Sequence, residues 1–207
     1  MNLKNISTSD QQHQILLSPK LTALVIVDHQ MAFEQCFDIE DIKSAENGVA
    51  NLLDVASKVD VPVITSLVKT NSIDSKLSVR LEKTIPELAR FNRSGINPWD
   101  DPAFADAVQI ANKPRLLIAG LSAETSLSFT ALCGLERGFD VYVVKDACLG
   151  YSKQSIAITF DRLTQAGVVP VSWRQVVLEW SQGSVDEGML RRLLRAHRTR
   201  KLNDSMP

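Results

Sequence analysis

Short apolar runs alternate with longer amphipathic stretches along residues 21–180. Five of the runs are almost continuously apolar, as expected of strands that are buried on both faces of a parallel sheet. They cover residues 21–27, 61–67, 115–119, 141–144 and 168–171, and a sixth strand is predicted at 88–92. Helical spacing of apolar residues is found over 42–57, 102–111, 124–135 and 155–166. The pattern predicts a single α/β domain with three α/β/α layers and a mostly parallel, Rossmann-like six-stranded sheet.

The two ends of the chain depart from this alternation. Residues 1–20 are polar and are predicted to form a separate N-terminal segment, so that the domain spans 21–183. Residues 184–207 are predicted to form an amphipathic helix and tail. Arginines interrupt an apolar stripe there, formed by Met189, Leu190, Leu193 and Leu194. Because a lone helix of this length is marginal in water, the stripe needs a surface on its own subunit or on another copy, and we expect a homo-oligomer.

One long internal segment, residues 69–86, has no clear period and is predicted to be a loop. Segments of this length without a helix or strand pattern are often active-site lids. We therefore treat it as a candidate flexible lid.

Charge and cysteine content exclude several classes of protein. Lys and Arg number 23 against 24 Asp and Glu, so the formal net charge of −1 provides no field for binding nucleic acid or an anionic membrane. The longest apolar runs fall well short of the roughly 18 residues of a membrane span, and residues 1–20 lack the apolar core of a signal peptide. Cys36, Cys133 and Cys148 have no metal-ligand or disulfide spacing, which favours a reducing cytoplasm.

Polar side chains follow two of the predicted strands at their carboxyl ends, where ligands bind in open parallel sheets. Asp28 interrupts the first apolar run and is followed by His29 and Gln30, so an acid, an imidazole and an amide are clustered there. Ser122 and Ser126 begin the helix after strand 115–119, where free backbone amides can stabilise an oxyanion beside a nucleophile. The alternative to a functional role is a structural one, in which Asp28 caps the next turn and Ser122 caps the helix.

Other catalytic and cofactor motifs fit poorly. The sequence GLSAE at 120–124 comes within one residue of the G-x-S-x-G nucleophile elbow, but the only histidine after Ser122 is His197 in the arginine-rich tail. The glycine spacings of dinucleotide- and phosphate-binding loops do not occur. Because the histidines are widely separated, we expect neither a metal nor another cofactor, and an Asp28–His29 metal site is the remaining alternative.

Five segments, in this order and spacing, resemble the isochorismatase-like superfamily, also called the cysteine hydrolases. They are VIVDHQ at 25–30, RSGINPW at 93–99, IAGLSAETS at 118–126, GFDVYVVKDA at 138–147 and QAGVVPVSW at 165–173. The INPW and VSW segments are most similar to a branch of bacterial hydrolases whose members often lack a known substrate. The resemblance implies the three-layer fold, a small-molecule substrate and an assembly of several copies.

The same resemblance implies a set of catalytic residues. Most enzymes of the superfamily use an Asp, a Lys and a Cys, and these positions fall on Asp28, near Arg93 and on Ser126. An alcohol is much harder to ionise than a thiol, so covalent amidase chemistry is less favoured with serine. Arginine keeps its charge and does not release a proton, so Arg93 is expected to hold an anion. Residues expected to line the substrate pocket are His29, Gln30, Asn97, Trp99 and Ser122.

We therefore predict a small-molecule hydrolase that cleaves a C–N amide bond or a vinyl ether, with an anionic substrate expected from Arg93. Isochorismatases of the superfamily hydrolyse a vinyl ether without a covalent thioester, and some of them carry serine at the cysteine position. The alternative is a catalytically inactive binding or assembly protein on the same scaffold, because the cysteine and the lysine are replaced. A further alternative is that Cys148, which follows Asp146 at another strand end, is a displaced reactive thiol.

Overall fold

The structure, a computed structural model, describes residues 15–86 and 89–181. The strands are β1 (Thr22–Val27), β2 (Val63–Val68), β3 (Arg90–Arg93), β4 (Arg115–Gly120), β5 (Asp140–Cys148) and β6 (Val169–Val171). Within the described residues they form one sheet in the order β3-β2-β1-β4-β5-β6, and every neighbouring pair is parallel. This confirms the α/β fold and the parallel six-stranded sheet.

Helices cover both faces of the sheet, as parallel strands require. They are α1 (Met31–Glu34), α2 (Ile39–Lys58), α3 (Pro102–Ala111), α4 (Ser128–Glu136), α5 (Lys153–Ala166) and α6 (Trp173–Ser181). One face packs against α2 and α6 and contributes residues such as Leu24 and Ile26 to that core. The other face packs against α3, α4 and α5 through residues that include Val25 and Val27. Successive β1 residues therefore enter opposite cores, and all six are buried.

Most predicted elements are confirmed within a few residues, and two helices went unrecognised in the sequence. The short helix α1 follows β1 after residues 28–30, and α6 follows β6, where the apolar pattern had been assigned only as far as the strand. In α6 the buried residues are Trp173, Val176, Val177 and Trp180, which is a helical spacing. The helix start predicted at residue 124 is a π-helical turn, Ala123–Leu127, and the regular helix α4 begins only at Ser128.

The long segment between β2 and β3 is packed rather than lid-like in the part that the structure describes. Its apolar residues Leu77, Leu81 and Ile85 are each no more than 2% exposed and belong to the core beside α2. An isolated antiparallel bridge pairs Leu77 with Gln30. The lid interpretation is therefore wrong for this portion, because three aliphatic side chains anchor it even though no helix or strand period links them.

No helix in residues 15–86 and 89–181 is long and apolar enough to cross a membrane. The predicted amphipathic helix and tail, residues 184–207, and most of the N-terminal segment, residues 1–14, lie outside the described residues.

Candidate active site

Asp28 lies at the carboxyl end of the sheet, next to β2. Asp28 directly follows β1, is fully buried, and has a φ angle of 55°, a left-handed conformation that Asp tolerates better than most residues. Its backbone N–H donates to the carbonyl oxygen of Ser66 on β2, at 3.0 Å. A buried non-glycine residue in this backbone region is typical of functional sites, where the surrounding structure compensates for the strain.

Arg93, the last residue of β3, forms a bidentate ion pair with Asp28. Arg93 Nη1 donates to Asp28 Oδ1 at 2.9 Å, and Nη2 donates to Oδ2 at 2.7 Å. The side chains are only 2% and 1% exposed, respectively, so this is a buried pair with little solvent screening. Arg93 Nη1 also donates to the Ser66 hydroxyl oxygen at 2.9 Å. Ser66 thus contacts both members of the pair, through its side chain and its backbone.

This pairing limits what the carboxyl group of Asp28 can do chemically. Both of its oxygens accept hydrogen bonds, so the arrangement is that of a carboxylate and suits a proton acceptor rather than a proton donor. Arg93 Nη1 donates twice and Nη2 donates once, whereas the Nε atom is buried with no partner among residues 15–86 and 89–181. Of the five guanidinium N–H groups, the one on Nε and one on Nη2 therefore have no acceptor in that part of the chain.

The turn after β4 lies directly beside Asp28. Gly120 pairs with Val27 across the two strands, and the backbone N–H of Leu121 donates to the Val27 carbonyl at 3.1 Å. A Cβ atom on Gly120 would lie 2.7 Å from that same carbonyl oxygen, so this close approach requires glycine. The next residue, Ser122, has a φ angle of 56°. Two left-handed non-glycine residues, Asp28 and Ser122, thus stand at the ends of adjacent strands.

Ser126 lies in the π-helical turn that connects Ser122 to α4. It is buried, and Thr125 before it has the non-helical angles φ −116° and ψ −105°. Two backbone N–H groups of this turn donate within the chain, that of Ala123 to the Leu149 carbonyl at 2.8 Å and that of Thr125 to the Ser122 carbonyl at 3.0 Å. The Ser122 hydroxyl is also buried and has no hydrogen-bond partner within the described part of the chain. The site therefore combines a carboxylate with the hydroxyl groups of Ser122 and Ser126, which can donate.

His29 is fully buried beside the site and is held in its neutral form. Burial lowers the pKa of His29 to about 4, and the backbone of Ala147 offsets only part of that effect. Neither ring nitrogen makes a hydrogen bond of standard geometry to any described residue. At neutral pH the ring is therefore an uncharged imidazole.

Gln30 uses its side chain to hold the backbone around the site. Its Nε2 atom donates to the carbonyl oxygens of Val68 at 2.8 Å and Asp74 at 2.9 Å, and its Oε1 atom accepts from the Val68 N–H at 2.7 Å. These bonds fasten the end of β2 and the following loop to the chain after Asp28. The amide that was predicted to bind substrate is thus fully used by the backbone.

Comparison with known proteins identifies the family. The model of the isochorismatase domain matches residues 22–175, which is most of the chain and includes the whole sheet. The chain belongs to the isochorismatase family. The Escherichia coli protein "Probable hydrolase YcaC" is 35% identical over 159 residues, covering 76% of each sequence.

Two solved structures of YcaC proteins have the same fold as this isochorismatase-family chain. The Escherichia coli structure, described as an octameric hydrolase of unknown specificity, is 30% identical, with a TM-score of 0.78 over 89% of this chain and 97% of that one. The Pseudomonas aeruginosa structure, which contains hexane-2,5-diol and covalent acrylamide, is 28% identical, with a TM-score of 0.77 over 85% and 89%.

Asn97 and Trp99 make contacts with a turn and with α4. Asn97 accepts a hydrogen bond from the Trp99 backbone and caps the turn Pro98–Asp100. The Trp99 ring is 5% exposed and packs edge-on against Phe104, and its N–H donates to the carbonyl oxygen of Thr130 in α4. Asn97 and Trp99 therefore support the helix that follows Ser126, and the indole N–H is used in that contact.

Cys148 and Asp146 have structural partners. Burial raises the pKa of the Cys148 thiol to about 12, and its Sγ donates to the Val144 carbonyl at 3.0 Å. A thiol with this pKa is not a nucleophile at neutral pH, so the alternative of a displaced reactive cysteine at Cys148 fails on physical grounds. Asp146 accepts from the Trp173 N–H at 2.8 Å and thereby caps α6.

The described residues contain no group of three His, Cys, Asp or Glu side chains placed to hold a metal ion.

Ser66 was missed by sequence reasoning. It lies in the mostly apolar segment VPVITSLV at 61–68, which contains β2. The hydroxyl side chains within this apolar run were the available indication. Its partner, Arg93, is 27 residues away in sequence, so only the pairing of β2 with β3 reveals the contact.

Proposed function

We propose that this chain is a small-molecule hydrolase in which Asp28 is the general base, Arg93 orients it, and Ser126 donates a hydrogen bond to the substrate. The observation that supports this most strongly is the buried bidentate Asp28–Arg93 pair beside the turn that holds Ser126. Such a pair fixes the carboxylate in one orientation, which a proton acceptor needs.

The preferred reaction is hydrolysis of a C–N amide bond. Asp28 takes a proton from a water molecule, the resulting hydroxide adds to the amide carbonyl carbon, and the C–N bond breaks as the leaving amine receives the proton. The Ser126 hydroxyl stabilises the negative oxygen of the intermediate by donating a hydrogen bond to it. Vinyl ether cleavage begins instead with protonation of carbon, which needs a proton donor at Asp28, whereas both of its oxygens accept hydrogen bonds from Arg93.

The proposed substrate is uncharged at the point where it meets Arg93. The sequence suggested that Arg93 holds an anion, but its charge is balanced by Asp28 at 2.7 Å. The N–H groups that remain, on Nε and Nη2, suit a neutral carbonyl or amide oxygen. The three free cysteines also support the proposed reducing, cytoplasmic location.

Activity in a panel of primary amides, carbamoyl amino acids and vinyl ethers tests the assignment. We expect an amide to be hydrolysed, and Asp28→Asn to lower kcat/KM by about 100-fold or more, because general-base catalysis contributes roughly that much. Asp146→Asn is the matched control, since it makes the same change within β5, where the carboxylate caps α6. Equal losses in the two variants, or unchanged activity in Asp28→Asn, would contradict the proposal.

Alkylation of a Ser126→Cys variant distinguishes an active site from an inactive binding protein on the same scaffold. We expect iodoacetamide to modify the engineered thiol at position 126 faster at neutral pH than the exposed thiol of Cys36, which serves as a reference in the same molecule. Peptide mass spectrometry separates the two sites. A thiol at 126 that reacts no faster than Cys36, together with no turnover by the unmodified protein, would favour the inactive binding protein.

We also propose that the chain assembles into a homo-oligomer. Support comes from the apolar stripe at Met189–Leu194 and from the octamer described for the Escherichia coli YcaC structure. Light scattering at micromolar concentration is expected to give a mass at least twice the 22.9 kDa of one chain. Deletion after Ser184 is expected to lower that mass or to cause precipitation, whereas a full-length monomer would disprove the proposal.

A further inference from the structure

The loop between β5 and α5 lies directly against the turn that holds Ser126. The backbone N–H of Ala123, in that turn, donates to the Leu149 carbonyl at 2.8 Å. The backbone N–H of Leu149 donates in turn to the carbonyl of Gly120 at 3.3 Å. The position of this loop and the position of the Ser126 turn are therefore coupled through the backbone.

Glu124 adds a side-chain contact between the same two segments. Its Oε1 atom accepts a hydrogen bond from the Tyr151 backbone N–H at 2.9 Å. Its Oε2 atom is buried and has no hydrogen-bond partner within residues 15–86 and 89–181. Both oxygens lie against Gly150, where a Cβ atom would be only 2.6 Å and 2.8 Å from them. The Glu124 carboxylate thus occupies the space that any larger residue at position 150 would need.

This contact lies at the most irregular point of the Ser126 turn. Glu124 and Ser126 are separated by Thr125, whose backbone angles are not helical. A strained, non-helical backbone conformation persists only where surrounding contacts stabilise it. The loop is also tied to the chain that follows α1, because the Tyr151 and Phe37 rings are 6.3 Å apart. Fixing Tyr151 therefore fixes the Ser126 turn relative to the segment that continues from Asp28.

We propose that Glu124 is a positioning residue, which holds the β5–α5 loop against the Ser126 turn and requires glycine at position 150. The inference rests on the proposed function only in treating Ser126 as a site residue. The hydrogen bond from the Tyr151 N–H to Glu124 fixes the position of the loop. Because Gly150 has no side chain, the Glu124 carboxylate fits beside it. The two contacts together hold the turn that contains Ser126.

The contact can be tested by amide hydrogen exchange in the full chain. Glu124→Ala is expected to speed exchange of the Tyr151 amide by about tenfold or more, because the amide loses its acceptor. Glu124→Gln, which keeps an acceptor oxygen, is expected to restore most of the protection. The Ser155 amide, which donates to the Ser152 hydroxyl oxygen at 3.0 Å, is the internal control and should not change.

A double-mutant cycle tests the requirement for glycine. Gly150→Ala is expected to speed Tyr151 exchange, because its new methyl group displaces the carboxylate. Adding Gly150→Ala to Glu124→Ala is expected to have little further effect, since the carboxylate is already gone. Gly95→Ala is the matched control, because a Cβ atom at Gly95 would meet nothing within 4 Å.

Positioning of Ser126 is measured in the Ser126→Cys background. Glu124→Ala and Gly150→Ala are each expected to slow alkylation at position 126 relative to Cys36 by about tenfold, because a small displacement of a reactive group has a large effect on rate. Glu124→Gln and Gly95→Ala are expected to stay close to the parent rate. Unchanged Tyr151 exchange in Glu124→Ala, or additive effects of the two substitutions, would overturn the proposal. Because exchange requires no substrate, failure of the hydrolase assignment would leave this result interpretable.

Discussion

Asp28→Asn and Arg93→Gln are each expected to lower the free energy of unfolding by about 3–5 kcal/mol, measured by urea denaturation. Each substitution removes one charge of a pair whose side chains are 1–2% exposed and leaves the other charge buried. Asparagine is chosen at position 28 because it tolerates the φ angle of 55°. The loss therefore reports on the pair rather than on the backbone.

The double variant Asp28→Asn/Arg93→Gln separates the ion pair from simple loss of packing. It is expected to be destabilised by less than the sum of the single variants, with a coupling of roughly 0.5–3 kcal/mol, because neither charge is left alone. Additive effects would show that the two side chains contribute independently and would contradict the buried-pair interpretation.

Ser66 and Thr65 provide a matched comparison within β2. Both hydroxyls are buried, but the Ser66 hydroxyl accepts from Arg93, whereas that of Thr65 has no partner in the described portion of the chain. Ser66→Ala is expected to lower the free energy of unfolding by about 1–3 kcal/mol, because it leaves a charged donor less satisfied. Thr65→Val is expected to be neutral or stabilising, since it removes an unpaired buried hydroxyl without changing the shape of the side chain.

The free energy of unfolding is expected to fall by about 3 kcal/mol as the pH is lowered from about 6.5 to about 4, through His29 alone. The pKa of His29 is lowered from 6.5 to about 4 in the folded protein. Between these values the unfolded chain binds a proton at this residue and the folded chain does not. Protonation therefore favours unfolding, and the stabilisation present above pH 6.5 is lost on the way to the folded-state pKa.

The measurement is the difference in pH profile between the unmodified protein and His29→Leu. Burial raises the pKa of Glu34 and Asp146, and raised carboxyl pKa values give a slope of the opposite sign. Because both proteins carry these carboxyls, the difference isolates His29. A difference that stays constant between pH 6.5 and pH 4 would show that His29 is not held neutral by its surroundings.

Several features of the site followed from local sequence pattern. Apolar runs of strand length separated by amphipathic stretches predicted the parallel sheet, and Asp28 and Ser126 were found because each follows a run that ends at the sheet edge. These signals are local: a period, a strand end or a helix cap depends on residues that are close in the chain.

Other features depended on contacts between distant residues. Asp28 and Arg93 are separated by 65 positions, and the bidentate geometry that makes Asp28 a carboxylate acceptor arises from the order of β1, β2 and β3 in the sheet. The contacts of Gln30 also depend on distant residues, because its amide nitrogen donates to the carbonyl oxygens of Val68 and Asp74. Residue type predicted polar side chains at the site, but their hydrogen-bond partners were unknown.

The sequence by itself determined the fold class, because periodicity is a property of short segments, and its motifs showed the resemblance to the family. It also indicated the edge of the sheet at which we propose that the chemistry takes place. The tertiary structure alone decided that Arg93 is paired with Asp28, that Cys148 is buried with a pKa of about 12, and that residues 77–85 pack into the core. The physical reason is that charge pairing, desolvation and packing are set by neighbours in space. Those neighbours come from different strands and are assembled only when the sheet forms.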